Sequence, residues 1–371
     1  MSFERGLPMR VSKLLAFCLL STAACAQAPG PDAPELGQAF STRINAVSIS
    51  AQNLTGITAT VAADFIYALR LDTRRQTPSL PAEFGGLSSL TVRAIDGDMV
   101  AFDALTDQGH LARFSAPNPS TWGQAAPPPS IQIHLTTITD PAGRPLRGTN
   151  QIDSEGLAPT NTGFLISFER DHRLIELGKG EGYQSQTGPI LSGFDGLESN
   201  GGMEALARLP NGQFLAAAEY GPDRLADHSA KLKAPYWIFD QVSKAVTAPL
   251  GTFENQGRFG ITDIRVLDQE VWVLKRSYDS ATKITLSRLE TCSLPSVLAG
   301  KPICTLKLAL SPPFPMDNYE GLAVMKDPQN RGNVVFILSD DNFSADQSTY
   351  LLAFRLDAPA SPAALSTGAT P

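Results

Sequence analysis

DSEGLAP at 153–159 and NYEGLAVM at 318–325 are two copies of one phrase, and three more stand elsewhere: FGGLSSL at 84–90, GGMEALARL at 201–209 and FGITDIRVL at 259–267. Each is a short apolar stretch opening on Gly or an acid. Each is followed by a turn, a second apolar stretch and a third. The second stretches read MVAFDALTD, FLISFE, FLAAAE, VWVLKR and VVFILSDD; the third read HLARF, RLIEL, YWIFD, ITLSRL and TYLLAFRL. Short runs of this composition between turn residues are strands. A three-strand unit cannot bury its own faces, so its recurrence predicts copies stacked on one another. Strand-only units of roughly 50 residues predict an all-β fold, a β-propeller closed radially so that few sheet edges stay open.

Outward from these copies the chain is less regular. The position marked by Gly86, Glu155, Glu204, Asp263 and Glu320 recurs at unequal intervals, which implies loop insertions between constant cores. Before the first copy, INAVSIS (44–50), GITATVAA (56–63) and DFIYALRLD (64–72) read as two or three further strands. With the final strand, 350–356, they are expected to complete a sixth blade; five to seven blades fit the chain. The 371 residues, 42% hydrophobic and 18% charged, suffice for one closed ring as a single domain at 41–357. A monomer is expected.

The flanks read differently. Arg5, Arg10 and Lys13 precede an apolar run over 14–24, too short for a permanent membrane span and typical of an export signal, here 1–26. Ala24-Cys25-Ala26 suits a small-x-small cleavage, while Ala23-Ala24-Cys25 also suits a lipobox, with Cys25 as the acylated residue. Membrane contact is expected only through that lipid anchor, and the location is the periplasm or cell envelope. A Pro-rich tether (27–40) and a tail of small residues and Pro (358–371) flank the domain. In an oxidising compartment Cys292 and Cys304, twelve residues apart, are expected to form a disulfide; the alternative is two unpaired thiols. A net charge of −7 argues against nucleic acid or an anionic membrane surface as partner.

Charge placement carries the chemistry. The first two strands of a blade are antiparallel, so the start of one and the end of the other share a sheet edge. That pairs Glu155 with Glu169, Glu204 with Glu219, Asp263 with Lys275 and Arg276, and Glu320 with Asp340 and Asp341, and Asp107 joins them at one mouth of the channel. So many carboxylates in one funnel repel one another and call for a bound cation. Oxygen-only donors suit calcium or another hard divalent ion, and scattered histidines argue against zinc or copper. The expected metal ligands are Glu155, Glu169, Glu204, Glu219, Glu320, Asp340 and Asp341. Lys275, Arg276 and Arg170 are the expected phosphate-binding cations. The plainer alternative is that these acids cap strand ends. No nucleophile elbow, Walker loop, HExxH or dinucleotide fingerprint is present.

FGGLS, DSEGLA, GGMEALA, GITDI and NYEGLAV, the last followed by LSDDNFSADQSTYLLAFRL (338–356), resemble the phytase-like family, described as having esterase-like activity of phytase. The likeness runs from 84 to 356; LTDQGH (105–110) departs from the Ser-Asp-Asp turn usual there, and 44–80 has no counterpart. The resemblance implies an exported bacterial propeller that hydrolyses phosphate esters. The leading expectation is therefore a calcium-dependent phosphoric-ester hydrolase acting on a small phosphorylated ester. The alternatives are a lactonase or carboxyl-ester hydrolase using one ion in the same channel, and a non-enzymatic envelope binding module.

Overall fold

A computed structural model describes residues 39–49, 63–73, 84–122, 130–178, 185–187, 197–221, 232–241, 248–255, 257, 259–312 and 314–356. The expected export signal, tether and tail lie outside them, apart from positions 39 and 40.

Two strands precede the repeats, β1 (Ala39–Ile49) and β2 (Ala63–Leu71). Four strands then make blade one: β3 (Leu87–Asp96), β4 (Met99–Thr106), β5 (His110–Pro117) and β6 (Ser130–Thr137). Blade two holds β7 (Ser154–Pro159), β8 (Gly163–Phe168), β9 (Arg173–Gly178) and β10 (Ser185–Thr187). Blade three holds β11 (Ala205–Arg208), β12 (Phe214–Ala217), β13 (Leu232–Phe239) and β14 (Gly251–Asn255). Blade four holds β15 (Gly260–Leu267), β16 (Glu270–Asp279), β17 (Ile284–Ser293) and β18 (Cys304–Leu310). Blade five holds β19 (Asn318–Lys326), β20 (Asn333–Asp340) and β21 (Thr349–Leu356). Its fourth strand is β2, paired antiparallel to β21 from Ala63↔Leu356 to Leu71↔Thr349, so an N-terminal strand completes the last blade.

The propeller therefore has five blades, within the expected range of five to seven, although six were favoured. DFIYALRLD does pair with the final strand, but as the outer edge of blade five. INAVSIS, except its last residue, which lies outside the described residues, is in β1, which pairs with β6 through residues 39–45 and with β2 through 46–49, stitching the outer edges of blades one and five. GITATVAA, except Ala63, lies outside the described residues.

Alternation along each strand builds the core. Successive side chains point to opposite faces, so in β16 Val271 and Val273 pack toward blade three while Trp272 and Leu274 pack toward blade five. In β20, Val334, Phe336 and Leu338 face blade one while Val335 and Ile337 face blade four. The apolar clusters accordingly lie between neighbouring blades all round the ring, and the one joining blades five and one includes Tyr67, Leu69 and Leu71 of β2. The first strands touch in a closed circle: β3, β7, β11, β15, β19 and back to β3.

An ion pair closes the axis. Arg265 donates to Asp263 (2.7 Å), Leu90 O (2.7 Å), Leu206 O (3.0 Å) and Ser89 Oγ (2.7 Å). Asp263 accepts from the backbone N–H of Leu322 (2.8 Å), Ile264 (2.8 Å) and Leu90 (3.4 Å). One pair thus ties the inner strands of blades one, three, four and five. Contrary to the expectation from the repeat, Asp263 is fully buried at the axis and does not join Lys275 and Arg276 at the mouth. Its place along the strand explains this: the residue that follows the Ile261↔Lys275 pair is Thr262, as Glu320 follows Tyr319↔Ser339 and Glu155 follows Ser154↔Phe168, so Asp263 stands one residue beyond the acids of the mouth. One residue of slip sends a side chain to the other face.

Removing one partner from such a pair leaves a buried charge uncompensated. Asp263→Ala is expected to cost about 3–5 kcal/mol in denaturant unfolding, with Asp263→Ala/Arg265→Met recovering part of it. Equal loss in the single and double variants would show that the pair is not what holds the axis.

The expected disulfide is present, joining Cys292 and Cys304 at 2.01 Å across directly opposed positions of β17 and β18. Replacing both with Ala should lower stability by about 3 kcal/mol, the chain-entropy value for so short a loop. Alkylation and intact mass with and without reductant check the bond, and unfolding midpoints check its effect.

Candidate functional site

Strand register fixes which residues face the funnel. The N–H groups of Asp107, Glu169 and Glu219 donate to Gly86 O, Asp153 O and Gly202 O, and Arg276 and Asp340 stand opposite Gly260 and Asn318. Asp107, Glu169, Glu219, Arg276 and Asp340 are therefore one ring of equivalent positions. The ring beside it, at the start of the first strands, is Ser88, Glu155, Glu204, Thr262 and Glu320. Seven carboxylates and one guanidinium share these ten places.

The tightest group is Asp153, Glu155 and Glu169, each offering a carboxylate oxygen within 4.8 Å of the others. Glu155 and Glu169 were expected there and Asp153 was not. Its signal was in the phrase DSEGLA: an acid two residues before Glu155 lies on the same strand face. Glu169 also accepts from the N–H of Gly201 and Gly202 (2.6 Å for Gly202), clamping blade three to blade two. Asp153 is held by Arg170, which also donates to Asn200 (3.3 Å).

On the other side Arg276 bridges Glu219 and Glu320, each at 3.2 Å. Asn318 Nδ2 donates to Glu320 (2.8 Å) and Asp340 (3.2 Å), and Asp340 accepts from Asn342 N (2.7 Å). Asp341 behaves as a clip: it accepts from Thr73 Oγ1 (2.5 Å), Gly86 N (3.1 Å) and Phe343 N (3.2 Å), fastening blade one and the end of β2 to blade five. Gly86 sits at φ +57°, and a Cβ there would fall 2.1 Å from Asp107 Oδ1, so the FGG opening leaves room for that acid. Lys275 is not at the mouth. It neighbours Arg276 on the strand and so points to the opposite face, where it donates to Glu290 (2.7 Å) and Glu254 O (3.0 Å).

The cluster resists ionisation. Burial first, and then neighbouring acids, push Glu155 and Glu204 well above the carboxylate range. Burial and Glu320 do the same to Asp340. Burial, with Asp340 and Asp153, pushes Asp107 up to about 8, and burial outweighs Arg276 to bring Glu320 up to about 7. Burial opposes the Arg276 charge, but Glu320 and Glu219 overcome it and hold its pKa above the ordinary value. Asp107 Oδ1 is buried without a hydrogen-bond partner. An all-oxygen donor set, crowded carboxylates and an unsatisfied buried oxygen fit a hard divalent cation. A cavity of about 830 Å³ adjoins the ring on the side of blades four and five, sharing Glu219 and Arg276 with it and lined also by Asn318.

These acids bind protons more tightly folded than unfolded, so the metal-free protein is favoured below the ordinary carboxylate range and loses stability as pH rises through 7 to 8, where Glu320 and Asp107 ionise. Melting in chelator should fall by several degrees between pH 6 and pH 8.5, and calcium should restore it at the higher pH. A flat profile in chelator would contradict the crowding.

No curated protein matches the chain. Among solved structures it is similar to a thermostable family-43 glycoside hydrolase (9% identity, TM-score 0.41, 76% of this chain and 96% of that one). It is also similar to the catalytic domain of a GH62 α-L-arabinofuranosidase from Coprinopsis cinerea (10%, 0.40, 76% and 95%) and to the Nup133 β-propeller domain of Vanderwaltozyma polyspora (10%, 0.29, 84% and 90%). The family model named phytase-like, described as esterase-like activity of phytase, matches residues 82–343, and with its five-bladed ring and acidic mouth the chain belongs to that family.

Proposed function

We propose that this protein is a divalent-metal-dependent phosphoric-ester hydrolase of the cell envelope. The observation that carries this reading is the convergence of Asp153, Glu155 and Glu169 within 4.8 Å beside a funnel whose opposite wall carries Arg276. An acidic mouth repels a phosphate, so a cation must stand between them. Calcium or a similarly hard ion held by these three carboxylates would stabilise charge on the phosphoryl oxygens and supply a water of lowered pKa.

The chain's own groups divide the remaining work. Glu204, Glu320 and Asp340 line the same mouth and add negative charge that favours the ion. Arg276 is held in place by Glu219 and Glu320 and presents a fixed cation to an arriving anion, since guanidinium geometry suits phosphate. Arg170, fastened to Asp153, offers a second cation at the rim. Lys275, turned toward Glu290, has no part in this reading. Glu219 serves as the partner of Arg276, and Asp341 as the clip on blade one. Export is supported by the charged-then-apolar run before residue 25 and by the Cys292–Cys304 bridge.

Glu155→Gln should weaken calcium binding at least about tenfold in calorimetry, with phosphate-ester turnover falling in parallel and the gain in melting temperature on adding calcium shrinking. Turnover that persists in chelator, or a Glu155→Gln protein with unaltered calcium binding, would refute the metal-dependent reading. Turnover of lactones without phosphate esters would replace it with the carboxyl-ester alternative.

A further inference from the structure

One glycine turn ties three acids of the mouth together. The N–H groups of Gly201 and Gly202 both go to one oxygen of Glu169 (2.6 Å for Gly202), and Gly202 O accepts from the N–H of Glu204 (3.1 Å) and of Glu219 (2.8 Å). Blades two and three meet at this turn. What holds it in place comes from outside the mouth ring. The His172 ring packs directly on Gly202: a Cβ there would fall 1.8, 2.4 and 2.8 Å from three ring atoms, which are its nearest neighbours. Gly202 does not have a positive φ, so the ring and not the backbone excludes a side chain at this position. His172 Nε2 donates to Glu198 O (3.2 Å), and the N–H of Arg170 donates to Ser199 O (3.0 Å), so the blade-two turn also fastens the residues that lead into Gly201.

Resting on the metal-dependent reading, we infer that His172 is a positioning residue for the cation site: seated against Gly202, its ring holds the turn on which Glu169, Glu204 and Glu219 are aligned. Glu169 shows what is at stake. With one oxygen held by two N–H groups its carboxylate cannot rotate freely, and it keeps its place within 4.8 Å of Asp153 and Glu155. A turn that shifts takes both donors away and frees the carboxylate to swing out of the group. Groups that orient a metal's ligands carry a large share of its affinity, although they do not touch the ion.

The test is a double-mutant cycle in the full-length protein, read by calcium calorimetry and by melting in chelator. Gly202→Ala drives a methyl group into the ring and should weaken calcium binding at least about tenfold, the cost typical of groups that orient metal ligands. His172→Ala should weaken it several-fold. In His172→Ala/Gly202→Ala the methyl takes the space that the ring left, so affinity should return at least to that of the His172→Ala protein, a coupling that independent sites do not show. Removing the Cys292–Cys304 bridge serves as the control: it should lower melting and leave calcium affinity unmoved. Losses that add in the double variant, or lowered melting with calcium affinity unchanged in both single variants, overturn the inference. Should Gly202→Ala fail to fold, a folded, calcium-binding double variant supports it and a double variant that also fails to fold overturns it. If the unaltered protein binds no calcium, the metal-dependent reading fails and this inference falls with it.

Discussion

The ion pair between Asp263 and Arg265 is what the centre of the ring depends on. A propeller with few blades brings its first strands close together, and their edges near the axis still carry backbone groups that need partners. One arginine meets this need with its planar fork, reaching Leu90 O of blade one and Leu206 O of blade three, while Asp263 takes the N–H of Leu322 in blade five. Burying two charges is costly, and in isolation a buried pair is a poor stabiliser. Here the backbone bonds that surround it offset that cost, and the pair fixes the inner strands relative to one another. Those strands position Glu155, Glu204 and Glu320.

The mouth shows the opposite balance. Its acids are buried with too few cations, and the burden falls unevenly. On one side Arg276 occupies a place that is acidic in the other four blades and neutralises Glu219 and Glu320 directly. On the other, Asp153, Glu155 and Glu169 face one another with, among the described residues, Arg170 at the edge. The asymmetry divides one ring into a side that attracts a cation and a side that already contains one. The cavity lined by Glu219 and Arg276 lies on the second side.

How much of this was legible in the sequence follows from what a repeat records. Alternating apolar residues record strands, and their recurrence gave the propeller and the pairs Glu155–Glu169, Glu204–Glu219 and Glu320–Asp340. The blade number was not recorded, since β1 and β2 lie on outer edges and lack the charged phrase that marks an inner strand. The register of a single acid was not recorded either. Asp263 stands one residue beyond the place of Glu320 and Glu155, which Thr262 holds in blade four. Lys275 was separable from Arg276 in principle, because neighbours on a strand face opposite ways. Asp153 stands where the other copies carry Gly86, Gly202, Gly260 and Asn318, so the repeat does not mark it, although period two places it beside Glu155.

The two centres, axial and at the mouth, lie one residue apart on the inner strands. In blades two and five the mouth position holds an acid, Glu155 or Glu320, followed by Gly156 or Gly321; in blade four it holds Thr262, followed by Asp263. That one-residue step lets a nearly symmetric fold place opposite charge requirements side by side. The axis receives a compensated pair that needs no ligand. The mouth keeps an excess of buried carboxylate, which the protein relieves by holding protons and which would favour a bound cation in their place.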